Sequence, residues 1–313
     1  MDQDHLFSHA ILVTGVHRSG TTWVGKMLAA NRQVAFISEP LNLLHRPGVL
    51  RVPVEHWYPY ICEENEAEFL PGLVETLNFH YHPWAELKSL RSTKDGLRMS
   101  LDWSVFLKGK ILHQRPLLKD PFAVFSLGWL FEKLGCRVVI VVRHPAAFTS
   151  SLIRLDWAFD FGHLLAQPLL MRDWLEPYRK DMEAVQKSPD DILLQGSLLW
   201  RIVYQVVSCL QDRYPEFIVI RHEDLSIDPL AGYRELYADL GLAFSKHVEH
   251  AILDSSKAEN PGEISRRAVH SVQLDSRANL ANWRRRLTEE EIERIRDLTA
   301  DVAVKYYADQ DWE

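Results

Sequence analysis

Short apolar runs recur along the chain, and each one stops at a glycine or at polar residues. Runs of this length without polar interruption are typical of strands that are covered on both faces of a sheet. They predict five strands, over Ala10–Val16, Val34–Ser38, Arg115–Lys119, Arg137–Val142 and Glu216–Arg221.

The segments between and after these runs carry apolar residues at helical spacing. They predict helices over Thr21–Ala30, Ala123–Leu134, Pro145 to about Leu155, Asp191–Arg213, Pro229–Leu240, Ser245–Leu253 and Thr288–Tyr307. Strands that alternate with helices imply an α/β fold, in which a parallel sheet has helices on both faces. In such a fold, ligands bind at the carboxyl ends of the strands.

Two long segments, 42–113 and 156–188, interrupt this alternation. Both are rich in aromatic residues and neither contains a strand-like run, so we interpret them as helical insertions that cap the edge of the sheet. No repeat, low-complexity tract or flexible linker separates them from the rest. We therefore predict one domain over residues 1–313.

The bulk composition narrows the possible classes of protein. The 313 residues carry a formal charge of −7, which argues against a general nucleic-acid binder. Neither the start of the chain nor any apolar run has the pattern of a signal peptide or of a membrane span, so we expect a cytoplasmic protein without stable membrane insertion. The oligomeric state stays open.

A glycine-rich turn follows the first predicted strand and opens the first helix. It reads Gly15-Val-His-Arg-Ser-Gly20-Thr21-Thr22, with the glycine spacing of a phosphate-binding loop but a threonine in place of its lysine. Backbone N–H groups at a helix N-terminus attract anions. Since the second strand is followed by Glu39 and the strand over Arg137–Val142 by Arg143, rather than by an aspartate that could hold magnesium, we expect an anionic ligand bound without a metal, in a P-loop-like central parallel sheet.

Three alternatives remain open for this loop. It could bind nothing and serve only as a turn, or it could belong to a small-molecule kinase with a degenerate phosphate loop. It could also belong to a non-catalytic nucleotide-binding partner protein.

The stretch HRSGTTW resembles the 5′-phosphosulfate loop of the sulfotransferases that use 3′-phosphoadenosine 5′-phosphosulfate (PAPS). Arg18 takes the position of a lysine, as in the carbohydrate-type and bacterial branches. The resemblance implies that Arg18 binds PAPS together with Ser19, Gly20, Thr21, Thr22 and Trp23. For Trp23 it implies stacking on adenine, and the alternative is a core residue on the first helical turn.

A second motif lies in VVRHPAAFTSSL, after the strand over Arg137–Val142. An arginine at the end of a strand can make paired, charge-assisted bonds to a phosphate, and a serine two helical turns later can reach the same group. The family resemblance assigns these roles to Arg143 and Ser151 at the 3′-phosphate, with Ser150 as an adjacent alternative.

The resemblance also implies residues for the chemistry. Lys119, in LLKDP, would polarise the sulfuryl oxygens, and Glu39, in FISEPLN, would be the general base, with Asp120 as the alternative base. One arginine of the loop over 255–287 would contact the cofactor; the candidates are Arg266, Arg267, Arg277 and Arg284–Arg286.

Together these features predict sulfuryl transfer from PAPS to a hydroxyl of a glycan, a lipid or a secondary metabolite, by in-line displacement with a carboxylate base. The other product would be adenosine 3′,5′-bisphosphate. No motif identifies the acceptor, because the insertions that would select it carry none.

Overall fold

Five parallel strands form the centre of the protein in a computed structural model that describes residues 10–263 and 272–313. They are β1 (Ile11–Thr14), β2 (Val34–Ser38), β3 (Arg115–Lys119), β4 (Arg137–Val142) and β5 (Ile218–Arg221). Their order in the sheet is β2-β3-β1-β4-β5. The predicted α/β class, with a P-loop-like parallel sheet flanked by helices, is confirmed.

Fifteen α-helices surround the sheet in the described part of the chain. They are α1 (Thr21–Leu28), α2 (Glu66–Leu77), α3 (Pro83–Ser89), α4 (Thr93–Ile111), α5 (Leu127–Leu134), α6 (Pro145–Leu155), α7 (Gly162–Leu165), α8 (Pro168–Leu170), α9 (Arg179–Val185), α10 (Ile192–Arg213), α11 (His222–Ile227), α12 (Pro229–Asp239), α13 (Lys246–Ser256), α14 (Ser276–Leu280) and α15 (Glu289–Ala303).

Alternate residues of the strands enter two separate cores, because successive side chains of a strand point to opposite faces. Leu12 and Ile140 pack into the larger core, which also holds α5 and α10. Ile11 and Val139 pack into the smaller core, with α1, α12 and α13. Helices on both faces thus explain why the strands are apolar without alternation.

Several predicted elements differ at their ends; β5, for example, begins at Ile218 rather than Glu216, and α15 ends at Ala303 rather than Tyr307. Two of the differences have a clear physical reason. β1 stops at Thr14 because Gly15 adopts φ 138°, where a side chain would come within 2.3 Å of the Val141 carbonyl oxygen. The helix predicted from Ala123 begins instead as a 3₁₀ turn over Pro121–Ser126, where the Asp120 carboxylate accepts a hydrogen bond from the Phe122 N–H, and it becomes α5 only at Leu127.

The two insertions are mainly helical, as expected. The first contains α2–α4, and α4 packs against the edge strand β2. Buried residues of both, such as Leu73 and Leu164, join the same core as the sheet. Among the described helices, only α10 has the length and apolar composition of a membrane span; 67% of that window is buried inside the protein.

Candidate active site

The glycine loop between β1 and α1 is held in a left-handed conformation at two positions. Arg18 has φ 66° and Gly20 has φ 100°. Gly20 immediately precedes α1, and a side chain there would come within 2.2 Å of the His222 ring. The loop therefore leaves the N-terminal N–H groups of α1 accessible to an anion, as in other phosphate-binding loops.

We expect Gly20→Ala to lower the free energy of unfolding by about 1–3 kcal/mol, because alanine disfavours this φ and overlaps His222. Gly96, in α4, provides the control: a side chain added there has no neighbour within 4 Å. Gly96→Ala should raise stability by about 0.5–1 kcal/mol. Urea unfolding of both variants tests the pair, and equal effects would contradict this account of the loop.

The second motif meets the loop directly. Arg143, just after β4, donates a hydrogen bond from Nη1 to the Arg18 carbonyl oxygen over 2.8 Å. The Nε of Arg18 donates to the Ser151 hydroxyl over 3.3 Å. The two predicted anion-binding motifs are therefore in contact at one edge of the sheet.

A cleft lies between the two motifs, and most of the predicted binding residues line it. These are Arg18, Gly20, Thr21, Thr22, Trp23, Arg143 and Ser151. Ser19 does not line the cleft, since its side chain is fully buried beneath the loop. Arg286, one of the candidate arginines of the loop over 255–287, also lines it, as does Arg154, which sequence reasoning did not single out.

Four guanidinium groups thus face one cleft, from Arg18, Arg143, Arg154 and Arg286. Burial, with the charges of Arg143 and Arg154, lowers the pKa of Arg18 to about 10. Burial also lowers the pKa of Arg143 and of Arg286. Cations crowded in this way repel one another, so a bound anion would stabilise them.

Glu263 is the acidic side chain among the described residues that line the cleft. It pairs with Arg154 over 3.2 Å and contacts Arg286. One carboxylate among four guanidinium groups leaves the cleft strongly positive.

Glu39 and Lys119 lie together at the carboxyl ends of β2 and β3. Ser38 and Lys119 form the last pair of β2 and β3, so Glu39 lies one residue beyond this pair. The Nζ of Lys119 contacts Oε1 of Glu39, and the Asn42 amide donates to Oε2 over 2.7 Å. The Lys119 side chain is 2% exposed and that of Glu39 is 23% exposed, so the carboxylate is the more accessible member of the pair.

Asp120, the alternative base, is 1% exposed. Its two oxygens accept hydrogen bonds from the N–H groups of Leu41 (2.5 Å) and Phe122 (2.9 Å). Burial and the nearby charge of Glu39 raise its pKa to about 7, against these hydrogen bonds. That value would suit a base, but a base must also reach the proton it removes. The geometry favours Glu39.

The raised pKa of Asp120 predicts how stability depends on pH. The folded protein keeps this proton up to about pH 7 while the usual pKa is 3.8, so the contribution of Asp120 to stability falls as the pH rises between these values. We expect Asp120→Asn to remove this dependence. Urea unfolding of both proteins at pH 5 and pH 8 tests this prediction. If the difference in free energy of unfolding between wild type and Asp120→Asn is the same at both pH values, the prediction is wrong.

Comparison with known proteins identifies the family. A model described as the sulfotransferase family matches residues 10–246, a range that includes both anion motifs and the Glu39–Lys119 pair. The chain belongs to the sulfotransferase family.

Two curated relatives of this sulfotransferase are carbohydrate sulfotransferases. Carbohydrate sulfotransferase 5 of Mus musculus is 35% identical over 187 residues, 58% of this chain and 41% of that protein. Carbohydrate sulfotransferase 1 of Danio rerio is 29% identical over 163 residues, 50% of this chain and 34% of that protein. The chain therefore spans less than half the length of these relatives.

Solved structures of sulfotransferases also resemble the chain. The sulfotransferase domain from the curacin biosynthetic pathway has a TM-score of 0.44 and 17% identity, over 95% of this chain and 98% of that one. Mouse sulfotransferase SULT7A1 complexed with PAP has a TM-score of 0.45 and 12% identity, over 97% and 86%. Both scores lie below 0.5, so the fold is defined by the sheet order of the chain itself.

Trp23 lies largely inside the smaller core. Its ring is 9% exposed and packs edge-on against Tyr233, and its Nε1 donates to the Ser255 hydroxyl over 2.9 Å. It nevertheless lines the cleft. The indole is therefore anchored in the smaller core, with a small surface left for a ligand.

Among the C-terminal arginines, the structure brings Arg286 into the sulfotransferase cleft, where its Nη1 donates to the Ser150 hydroxyl over 3.5 Å. Arg277 instead donates to the Ile227 carbonyl oxygen. Arg284 stacks over Trp283, and Arg285 contacts Asn282. Arg266 and Arg267 lie outside the described residues.

His17 is a further polar residue of the site that sequence reasoning missed. Its Nδ1 lies 2.5 Å from the Tyr58 hydroxyl, and rings of Phe122 and Phe148 pack around it. Burial and the charge of Arg18 lower its pKa to about 4, so the imidazole is neutral near pH 7. No local pattern pointed to His17, since its partner Tyr58 belongs to the first insertion. Arg154 could have been found, because it lies three residues after Ser151 on α6.

Metal ligands were not expected. Within residues 10–263 and 272–313, no three His, Cys, Asp or Glu side chains come together in a way that could hold a metal ion.

Proposed function

We propose that this sulfotransferase transfers a sulfuryl group from PAPS to a hydroxyl of a glycan, a lipid or a secondary metabolite. One observation carries the proposal: the glycine loop and the Arg143–Ser151 motif line the same cleft and are joined by the hydrogen bond from Arg143 to the Arg18 carbonyl oxygen. An adenosine derivative with phosphates at both ends of its nucleoside needs two such anion sites.

The residues present fit this donor. The N–H groups of the loop, Arg18 and the Thr21 and Thr22 side chains would hold the 5′-phosphosulfate. Arg143 and Ser151 would hold the 3′-phosphate, supported by Arg154 and Arg286. When bound, PAPS supplies a sulfuryl group activated by its bond to phosphate. We expect no metal, because the guanidinium groups that line the cleft would stabilise the developing charge.

Glu39 would accept the proton of the attacking hydroxyl. Its Oε1 is held by Lys119 and its Oε2 by Asn42, so the carboxylate is fixed in orientation at the end of β2. Arg18 would stabilise the charge that develops on the departing phosphate. The acceptor is proposed only as a class, a hydroxyl of a glycan, a lipid or a secondary metabolite. The names of the curated relatives favour a carbohydrate within that class.

Ligand binding tests the donor first. Adenosine 3′,5′-bisphosphate should raise the Tm by several degrees, whereas adenosine 5′-phosphate should do so less, because it lacks the 3′-phosphate. Stabilisation by Mg-ATP alone would favour a kinase and would overturn the proposal. Transfer of labelled sulfate from PAPS to a panel of hydroxylated acceptors tests the reaction. Binding without any transfer would favour a non-catalytic partner protein.

A further inference from the structure

The first insertion presents an apolar surface to solvent, which we call the outer face of α3 and α4. Eight large apolar side chains on it are between 50% and 76% exposed. They are Trp84, Leu87, Leu97, Leu101, Trp103, Leu107, Ile111 and Leu112. Scattered apolar residues are normal on a protein surface, but eight of them on or next to two helices that contact each other indicate an interaction site.

These residues follow the geometry of α4. Trp103, Leu107 and Ile111 are spaced by four residues, as are Leu97 and Leu101, so each set forms a row along the helix. Residues at this spacing lie on one side of the helix, and here that side faces away from the protein.

The opposite side of α4 accounts for its attachment to the domain. Phe106 and Gly109 are buried there, and Gly109 lets the helix approach so closely that a side chain would come within 2.6 Å of the Phe79 ring. Packing against the domain therefore explains why Phe106 and Gly109 are buried. It does not explain why the outer face is apolar.

Positive charge borders the outer face. At 100° per residue, Lys110 flanks the apolar rows on one side, and Lys94 and Arg98 flank them on the other. Lys108, which is also exposed, lies between Leu97 and Leu101 within the face. Residues 83–112 contain six Lys or Arg and three Asp or Glu, a formal charge of +3, whereas the whole chain carries −7.

The acidic side chains of this segment are engaged within the fold. Glu86 and Asp102 both pair with Arg46, Asp102 over 3.1 Å. Asp95 closes the capping box of α4 with Ser92. The charge that the outer face presents to a partner is therefore predominantly positive.

We propose that the outer face of α3 and α4 binds the surface of an anionic phospholipid bilayer. An apolar helix face with cations along both borders and tryptophans among its apolar residues matches a helix that lies in the membrane interface. The lysines would contact anionic headgroups while the leucines enter the acyl boundary. Contact of this kind is peripheral, and α4 would stay attached to β2.

A second copy of the chain fits this surface less well. In a two-fold dimer the same patch contacts itself, which would bring the bordering cations of both copies together. Anionic lipid neutralises those cations instead.

Co-sedimentation with vesicles tests the proposal. Wild-type protein should bind vesicles of phosphatidylcholine mixed with phosphatidylglycerol, and it should bind vesicles of phosphatidylcholine alone at least about 10-fold more weakly. Salt should weaken the binding. The triple variant Leu97→Gln/Leu101→Gln/Leu107→Gln should lose at least about 10-fold in affinity.

A matched control carries three glutamines at exposed apolar positions outside the outer face: Ile227→Gln, Leu253→Gln and Val304→Gln. It should bind vesicles like wild type. Circular dichroism and unchanged midpoints of urea unfolding would show that both triple variants are folded.

Three results would overturn the proposal: no binding to anionic vesicles, equal binding by the two triple variants, or equal binding to both kinds of vesicle. A wild-type dimer that dissociates in the Leu97 triple variant, with no vesicle binding, would assign the surface to a second copy. Failure of nucleotide binding would leave vesicle binding unaffected, so this test is independent of the proposed reaction.

Discussion

Glu39→Gln is expected to lower kcat by about 10²- to 10⁴-fold, the usual contribution of a positioned base. Glutamine keeps the shape of the side chain and can still contact Lys119 and Asn42, but it cannot accept the acceptor's proton. Affinity for adenosine 3′,5′-bisphosphate should stay unchanged, because Glu39 does not line the cleft between the two motifs. Steady-state transfer of labelled sulfate and calorimetric binding measure the two effects separately.

Asp120→Asn is the control for this experiment. Asp120 directly follows Lys119 in the sequence, but its carboxylate oxygens accept hydrogen bonds from backbone N–H groups. We expect Asp120→Asn to change the free energy of unfolding more than it changes kcat. A large loss of kcat in Asp120→Asn, with normal turnover in Glu39→Gln, would show that Asp120 is the base and Glu39 is not.

Arg143→Met should weaken the binding of adenosine 3′,5′-bisphosphate by about 10²-fold. A charge-assisted hydrogen bond contributes about 1.5–3 kcal/mol, and Arg143 also supports the loop through the Arg18 carbonyl oxygen. Methionine preserves much of the volume and removes only the charge and its donors. Calorimetric titration with the nucleotide measures the loss.

Arg137→Met is the matched variant, because Arg137 lies at the exposed, opposite end of the same strand. It should bind the nucleotide like wild type. If both variants bind equally well, Arg143 does not hold the ligand and the two motifs do not form one site.

The strands were the most predictable part of the fold. The bounds of β2, β3 and β4 agree with the prediction to the residue, because each run is apolar and bordered by glycine or polar residues. Both anion motifs were also predictable, since each depends on a strand end and the helix that follows it. Their local sequence fixes the geometry.

Partners that come from distant segments could not be predicted. The contact between Glu39 and Lys119 depends on the strand order, in which β3 is the neighbour of β2, and no local pattern indicates that order. The same applies to His17 and Tyr58, which are 41 residues apart. Arg286 reaches the cleft from near the end of the chain, and no local pattern distinguished it from the adjacent arginines.

The contact between Lys119 and Glu39 depends on one register between the neighbouring strands β2 and β3. Displacing β3 by one residue would turn the ammonium group of Lys119 toward the opposite layer of helices and bring Leu118 or Asp120 level with Ser38. A substitution deep in either strand that shifts this register would therefore separate Lys119 from Glu39 while leaving the protein compact and helical.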